Sequence, residues 1–276
     1  MTEGSPLPSL PSLPPPLADL PPLPSIGPVT RRVPPGGARR EWQTGEVVAV
    51  RDETARARTL RLWLPKGHPH VAGQHYVVRV SDDAGVQMQR SYSVASAPEY
   101  GPDGAGTHIE LTIDRLDDGF VSPILHDDVG VGDPLEVRGP FGGWFIWRGD
   151  TPALLVGGGS GVVPLMAMRR HWHNRGETVP LRLVVSVRGP EDLFYAGEYG
   201  PESTVVYTRT APAGSPRAPG HLDAATLAPL VAELAPAGAV AYVCGSTGFA
   251  EYASQLLVEV GMPADAVRVE RFGPSA

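Results

Sequence analysis

The amino-acid sequence predicts a mixed fold in two parts, an antiparallel six-stranded β-barrel followed by an α/β unit built on a parallel sheet. Between Glu41 and Gly149 six short runs rich in Val, Leu, Thr and aromatics alternate in polarity and are separated by turn clusters such as DDAG and GPDGAG. After Gly149 the apolar runs become continuous and lead into helix-length amphipathic stretches, the pattern of parallel strands buried on both faces. The change falls near residues 148–152, which divides the chain into a barrel over 41–149 and an α/β unit over 150–276.

The elements follow in order. Residues 1–40 hold twelve of the chain's 31 prolines, and proline at this density interrupts every leucine run before a helix can form. The segment reads as a disordered or extended polyproline-type tail outside the fold. Its P-x-x-P spacings suit an aromatic-lined groove, although composition alone favours a solvated spacer. GEVVAV, TLRLWL, QHYVVRV, RSYSVA, HIELTI and PLEVRG are the expected barrel strands. ALLVGGGSG opens the second unit and leads into the helix VVPLMAMRRHW; the strands LRLVVSV, TVVYT and AVAYVCG and the helix GFAEYASQLLVEVG follow.

Composition narrows the function classes. A formal charge of −7 without a basic helix argues against nucleic acid, whose recognition needs clustered Lys and Arg on phosphates. The single cysteine, Cys244, excludes an internal disulfide and cannot alone hold an iron–sulfur cluster or a structural zinc. With no cationic leader and no uninterrupted apolar span, the expectation is a cytoplasmic protein without signal peptide or membrane span. His68, His70 and His75, and the pair His171 and His173, lack the helical spacing of a metal site, so no metal is expected. No G-x-S-x-G elbow occurs either.

Four motifs carry chemistry. In RSYSVASAP, Arg90 and Tyr92 lie two apart and share a strand face, with Ser91 and Ser93 on the other side or at the rim. A guanidinium suits a phosphate and a phenol ring suits a flat heterocycle; an exposed outer barrel face is the plain alternative. In DGFVSPIL, Gly119, Val121 and Ser122 mark a short helix start with free amides. In VGGGSGVVPLM, a buried strand runs through Gly158, Gly159, Ser160 and Gly161 into a helix with Pro164 near its first turn. Glycines let backbone approach a pyrophosphate, and the helix start offers amides and a positive dipole end; a tight turn without ligand is the alternative. It is neither G-x-G-x-x-G nor a P-loop. In AYVCGSTG, Cys244 and Gly245 end a strand at the edge where open α/β sheets place ligands, although a lone cysteine is more often a small buried hydrophobe.

The order of these motifs, R-x-Y-S, G-x-x-S, G-G-x-G-x-x-P, Y-V-C-G and a terminal E-R-F, resembles the ferredoxin–NADP reductase superfamily of flavoenzymes across residues 42–273. The likeness is greatest to bacterial FAD-dependent reductases that serve oxygenases, ferredoxins or cytochromes. The resemblance implies an FAD-binding barrel and a nicotinamide-binding α/β domain. It puts Arg90 on the FAD pyrophosphate, Tyr92 on the isoalloxazine, Ser93 near flavin N5 and the amides of Gly119, Val121 and Ser122 on the second phosphate edge. Gly158, Gly159, Gly161 and Pro164 would take the nicotinamide dinucleotide's pyrophosphate, with Cys244 and Gly245 beside the nicotinamide. Glu270 and Phe272 in VERFGPSA would sit near the flavin, and Ser93, Cys244 and Glu270 form the expected catalytic set. Unlike plant-type members, four residues follow Phe272; closure of the sheet edge is the structural alternative for this tail.

The second α/β strand ends with Ser186 and Arg188 where NAD-binding chains usually place an acid, and Arg209 follows the third. Guanidinium groups suit a 2′-phosphate, so NADPH is preferred over NADH. NADH remains the alternative, because family members using it also carry arginine there, and His221 stands where a Gly-Arg pair is common. The resemblance thus implies an NAD(P)H-dependent FAD oxidoreductase whose electron acceptor, a ferredoxin, haem protein or oxygenase component, is a separate chain. A reductase of free flavin and a non-catalytic flavin-binding module are the rival readings.

Overall fold

The computed structural model describes residues 40–67, 69–81, 85–98 and 107–273. The tail expected over residues 1–40 falls outside them except for Arg40, as does His68. The first sheet contains β1 (Gln43–Asp52), β2 (Ala57–Leu64), β3 (His75–Ser81), β4 (Gln87–Ser93), β5 (Thr107–Asp114) and β6 (Pro134–Phe141). All its pairings are antiparallel, in the order β4-β3-β6-β1-β2-β5. A bridge between Val94 and Leu111 brings the two ends of the sheet together. The alternating pattern folds as period 2 dictates: Tyr76, Val78 and Val80 of β3 turn into a core with Leu60, Leu62, Ile109 and Leu111. Between β5 and β6 lies a short helix, α1 (Val121–Pro123), which continues as a wider turn to Asp128.

The second sheet is parallel, in the order β11-β10-β7-β8-β9. Its strands are β7 (Ala153–Gly158), β8 (Leu181–Val187), β9 (Ser203–Tyr207), β10 (Val240–Ser246) and β11 (Val267–Phe272). β7 is buried on both faces, as a central parallel strand must be. One face packs under α2 (Val162–Asn174) and the other under α3 (Ala224–Leu234) and α4 (Thr247–Glu259). Sequence reasoning missed α3, because Pro229 sits inside it and proline usually ends a helix. Tertiary burial prevails: Leu227, Val231 and Leu234 enter the core, and Asp223 caps the helix by accepting from the Thr226 amide at 2.9 Å.

Strand order reverses between β7 and β10, so the carboxyl ends of these strands flank the crevice where open α/β sheets bind ligands. The barrel packs on the α2 side. Ala57, Ala72 and Ala95 join one apolar cluster with Trp147, Leu165, Met166 and Cys244. Polar contacts reinforce this seam: the Tyr195 and Thr112 hydroxyls lie 2.5 Å apart, and Arg170 donates to the Ala95 carbonyl and to Glu110, both at 2.9 Å. Among the described residues no helix is long and apolar enough to cross a membrane.

Candidate functional site

The site begins at β4, an edge strand. Tyr92 stands opposite Tyr76, and Arg90 opposite Val78. Residues directly opposite in an antiparallel pair share a face. Arg90 and Tyr92 therefore lie on the core side of the strand, not on the outer barrel face. Arg90 nevertheless stays exposed, and its guanidinium finds only the adjacent Gln89 carbonyl, at 2.9 Å. Tyr92 is half-buried, which pushes its phenol well above the ordinary value, and its hydroxyl has no hydrogen-bond partner among the described residues. A cation and an aromatic ring on the core side, left uncovered by these residues, suit a ligand with a flat ring and a phosphate arm. Ser93 is buried opposite His75.

α1 packs against β4. Gly119 makes the turn before it tight: a Cβ there would lie 2.9 Å from Ser122 Oγ and 3.1 Å from the Leu116 carbonyl. Ser122 is not a helix cap. It lies inside α1, and its hydroxyl accepts from the Leu116 amide at 3.1 Å. What this turn offers a ligand is the backbone amides of the helix start around Val121.

At the crevice, the glycines of VGGGSG divide by physical reason. Gly161 is held by packing, since a Cβ would fall 2.2 Å from the Cys244 carbonyl oxygen. Gly158 and Gly245 both abut the Phe249 ring, with a Cβ at either position 2.6 Å from it. Gly159 alone among the three glycines singled out in this turn has open space around its Cβ position and a positive φ of 54°. Its conformation demands glycine and leaves the turn accessible. Pro164 is buried in the first turn of α2, where a missing amide hydrogen does no harm.

β11 lies beside β10 with Cys244 opposite Glu270 and Ser246 opposite Phe272. Parallel pairing thus joins two residues 26 apart in sequence. Cys244 is fully buried; burial and the Glu270 charge raise its thiol well above the ordinary value. Burial lifts the Glu270 carboxyl to about 7. Phe272 packs partly on the cluster that contains Cys244. The same cluster holds Ala95, two residues beyond Ser93, so the β4 edge and the Cys244 edge meet along one seam.

Ser186 is buried near the end of β8. Just beyond it, the Arg209 and Thr210 amides donate to the Arg188 carbonyl at 2.9 and 3.1 Å. This pairing sets Arg188 and Arg209 side by side, both exposed and neither in an ion pair among the described residues. Sequence reasoning passed over Asp114, the last residue of β5, whose carboxyl burial raises above its ordinary value.

Residues 45–146 match the family model described as oxidoreductase FAD-binding domain. The ferredoxin reductase component of the 3-ketosteroid-9-alpha-monooxygenase of Mycolicibacterium smegmatis is 30% identical over 253 residues, which is 87% of this chain and 67% of that protein. The chain belongs to the ferredoxin–NADP reductase superfamily of FAD-binding oxidoreductases. Another relative of this superfamily, the ferredoxin–NAD(P)+ reductase component of naphthalene 1,2-dioxygenase/salicylate 5-hydroxylase systems from a Ralstonia species, is 27% identical over 84% of this chain and 69% of its own. The propane 2-monooxygenase reductase of Rhodococcus jostii is 30% identical over 49% of this chain, which spans only 34% of that relative. The fold agrees with the FAD/NAD-binding domain of a nitric oxide dioxygenase from Vibrio cholerae, with a TM-score of 0.74, 22% identity and coverage of 84% of this chain and 99% of that one.

Proposed function

We propose that this chain is an FAD-dependent NAD(P)H oxidoreductase that delivers electrons to an acceptor outside residues 1–276: a ferredoxin, a haem protein or an oxygenase component. The observation that carries the reading is the placement of Arg90 and Tyr92 on the core side of an edge strand, with α1 against the same strand. Arg90 would hold the FAD pyrophosphate, aided by amides from Gly119 through Val121 to Ser122, and Tyr92 would stack on the ring with Ser93 beside N5. When bound, FAD accepts a hydride from the reduced nicotinamide and releases electrons to acceptors, some of which take one at a time.

The remaining assignments concern the crevice. The turn from Gly158 through Gly159 to Gly161, with Pro164 fixing the helix start, offers its amides to the nicotinamide dinucleotide's pyrophosphate. Cys244 and Gly245 line the nicotinamide's place, and Glu270, titrating near neutrality, can hold a proton there and donate a hydrogen bond from it. Phe272 closes the sheet edge beside them. Ser186 and the adjacent pair Arg188 and Arg209 support a 2′-phosphate site, hence a preference for NADPH.

Anaerobic titration of the purified protein with NADPH and, separately, NADH tests this reading. A bound yellow chromophore bleached preferentially by NADPH is expected. A flavin that neither nucleotide bleaches, or a colourless protein that FAD does not reconstitute, would overturn it.

A further inference from the structure

Tyr195 lies in the turn after β8 with a positive φ of 58°, a left-handed conformation that a bulky residue rarely adopts. It is buried, and both its backbone amide and its hydroxyl bind barrel residues. The amide donates to Glu53, in the turn between β1 and β2, at 3.1 Å. The hydroxyl meets Thr112 of β5 at 2.5 Å, Thr112 meets Thr59 of β2 at 2.8 Å, and Thr59 donates to the same Glu53 carboxylate at 2.7 Å. A carboxylate only accepts, and each hydroxyl has one proton to give. The direction of the chain is thereby set: Tyr195 donates to Thr112, Thr112 to Thr59 and Thr59 to Glu53, which closes a ring of hydrogen bonds across the seam.

Arg170 of α2 covers this ring, its guanidinium carbon 4.9 Å from the centroid of the Tyr195 side chain. Its Nε donates to Glu198 at 2.8 Å and its Nη2 to the other oxygen of that carboxylate, within the α/β unit. Its Nη1 crosses the seam to the Ala95 carbonyl and to Glu110, both at 2.9 Å. Ala95 follows Ser93 by two residues, and α2 starts at the glycine turn. One guanidinium therefore ties the helix assigned to the dinucleotide's pyrophosphate to the chain just beyond the residue assigned to flavin N5. The apolar part of the seam is built on the small side chains of Ala57, Ala72 and Ala95. Apolar contact is non-directional, whereas hydrogen bonds fix distance and angle. Buried ion pairs add little stability, since desolvation offsets their attraction, and are better suited to selecting one arrangement.

We propose that Tyr195 and Arg170 are positioning residues for hydride transfer, a clasp that holds the α/β unit in one register against the barrel so that nicotinamide C4 meets flavin N5. This inference rests on the functional reading above. Hydride transfer needs the reacting atoms about 3–3.5 Å apart, and a misplacement of about 1 Å can cost about a hundredfold in rate.

The test uses the full chain loaded with FAD and two variants. Tyr195→Phe removes only the hydroxyl that starts the chain, and Arg170→Lys keeps the charge but loses the planar fork that reaches both units. Stopped-flow follows flavin reduction by whichever of NADPH and NADH reduces wild type faster. At saturating nucleotide the rate should fall about tenfold or more in each variant, and the long-wavelength charge-transfer absorbance of stacked nicotinamide and flavin should weaken. Affinity for the matching oxidised nucleotide, measured by calorimetry, should stay within about twofold of wild type. A merely structural role would lower the melting temperature and leave rate and absorbance unchanged well below it. Tyr195→Phe decides alone if Arg170→Lys fails to fold or to retain FAD. Variants that reduce flavin at the wild-type rate, or whose loss lies wholly in nucleotide affinity, would sink this proposal alone. Wild-type protein that neither nucleotide reduces would sink the functional reading as well.

Discussion

Replacing Glu270 by glutamine separates the stability of the sheet edge from its chemistry. Burial alone lifts this carboxyl from 4.5 to about 7, and no hydrogen-bond donor among the described residues offsets it. Between those two values the native state binds more protons than the unfolded chain. Stability is therefore fully present below about 4.5 and is lost as pH rises through about 7. A carboxyl moved that far corresponds to about 3 kcal/mol at alkaline pH, and partial solvent screening brings the figure toward about 2 kcal/mol. Glutamine keeps the shape and removes the charge. At pH 8.5 the variant should resist urea by about 2 kcal/mol more than wild type, equivalent to roughly 4–8 °C in Tm, and at pH 5 the gap should close below about 1 kcal/mol. FAD content must be matched, since a bound ligand adds its own stability. Electron transfer from NAD(P)H should fall in the same variant. Unfolding free energies that follow wild type at both pH values would refute the argument, because the ionised carboxylate would then be as well solvated in the fold as outside it.

Three further outcomes are expected. Gly161→Ala forces a methyl group against the backbone carbonyl of Cys244, which cannot swing aside, and should cost about 3 kcal/mol or more. Gly159→Ala meets open space and only an unfavourable φ, costing about 1 kcal/mol; equal losses in thermal melts would contradict this division. Arg209→Ala should raise KM for NADPH about tenfold while leaving NADH within about twofold, and steady-state kinetics with both nucleotides decides it. His70, buried in its neutral form and donating from its ring Nε2 to the Ser96 carbonyl at 3.1 Å, has its value lowered by burial. The unfolded chain therefore takes up a proton that the fold refuses, and stability falls as pH drops below the ordinary histidine value. His70→Gln should flatten that acid slope, measured by urea unfolding between pH 7.5 and 5; an unchanged slope would place the lability elsewhere.

The elements were legible wherever burial imposes a period. The six alternating runs became six barrel strands, and the continuous run ALLV became the central strand of the parallel sheet. α3 was not legible, because Pro229 argues locally against a helix that packing of Leu227, Val231 and Leu234 stabilises from a distance. For the candidate site, the sequence by itself determined which residue types are available and in what order: Arg90 with Tyr92, the glycine turn, Cys244 and Glu270. Only the tertiary structure decided which of them meet. Register set Tyr92 against Tyr76 and Cys244 against Glu270, and two loop amides drew Arg209 to Arg188. It also separated Gly161, held by a carbonyl at van der Waals overlap, from Gly159, held by its own φ. Local periodicity follows from which face of each element is buried, whereas contacts between distant residues depend on how those faces pack, and no short window of sequence contains that information.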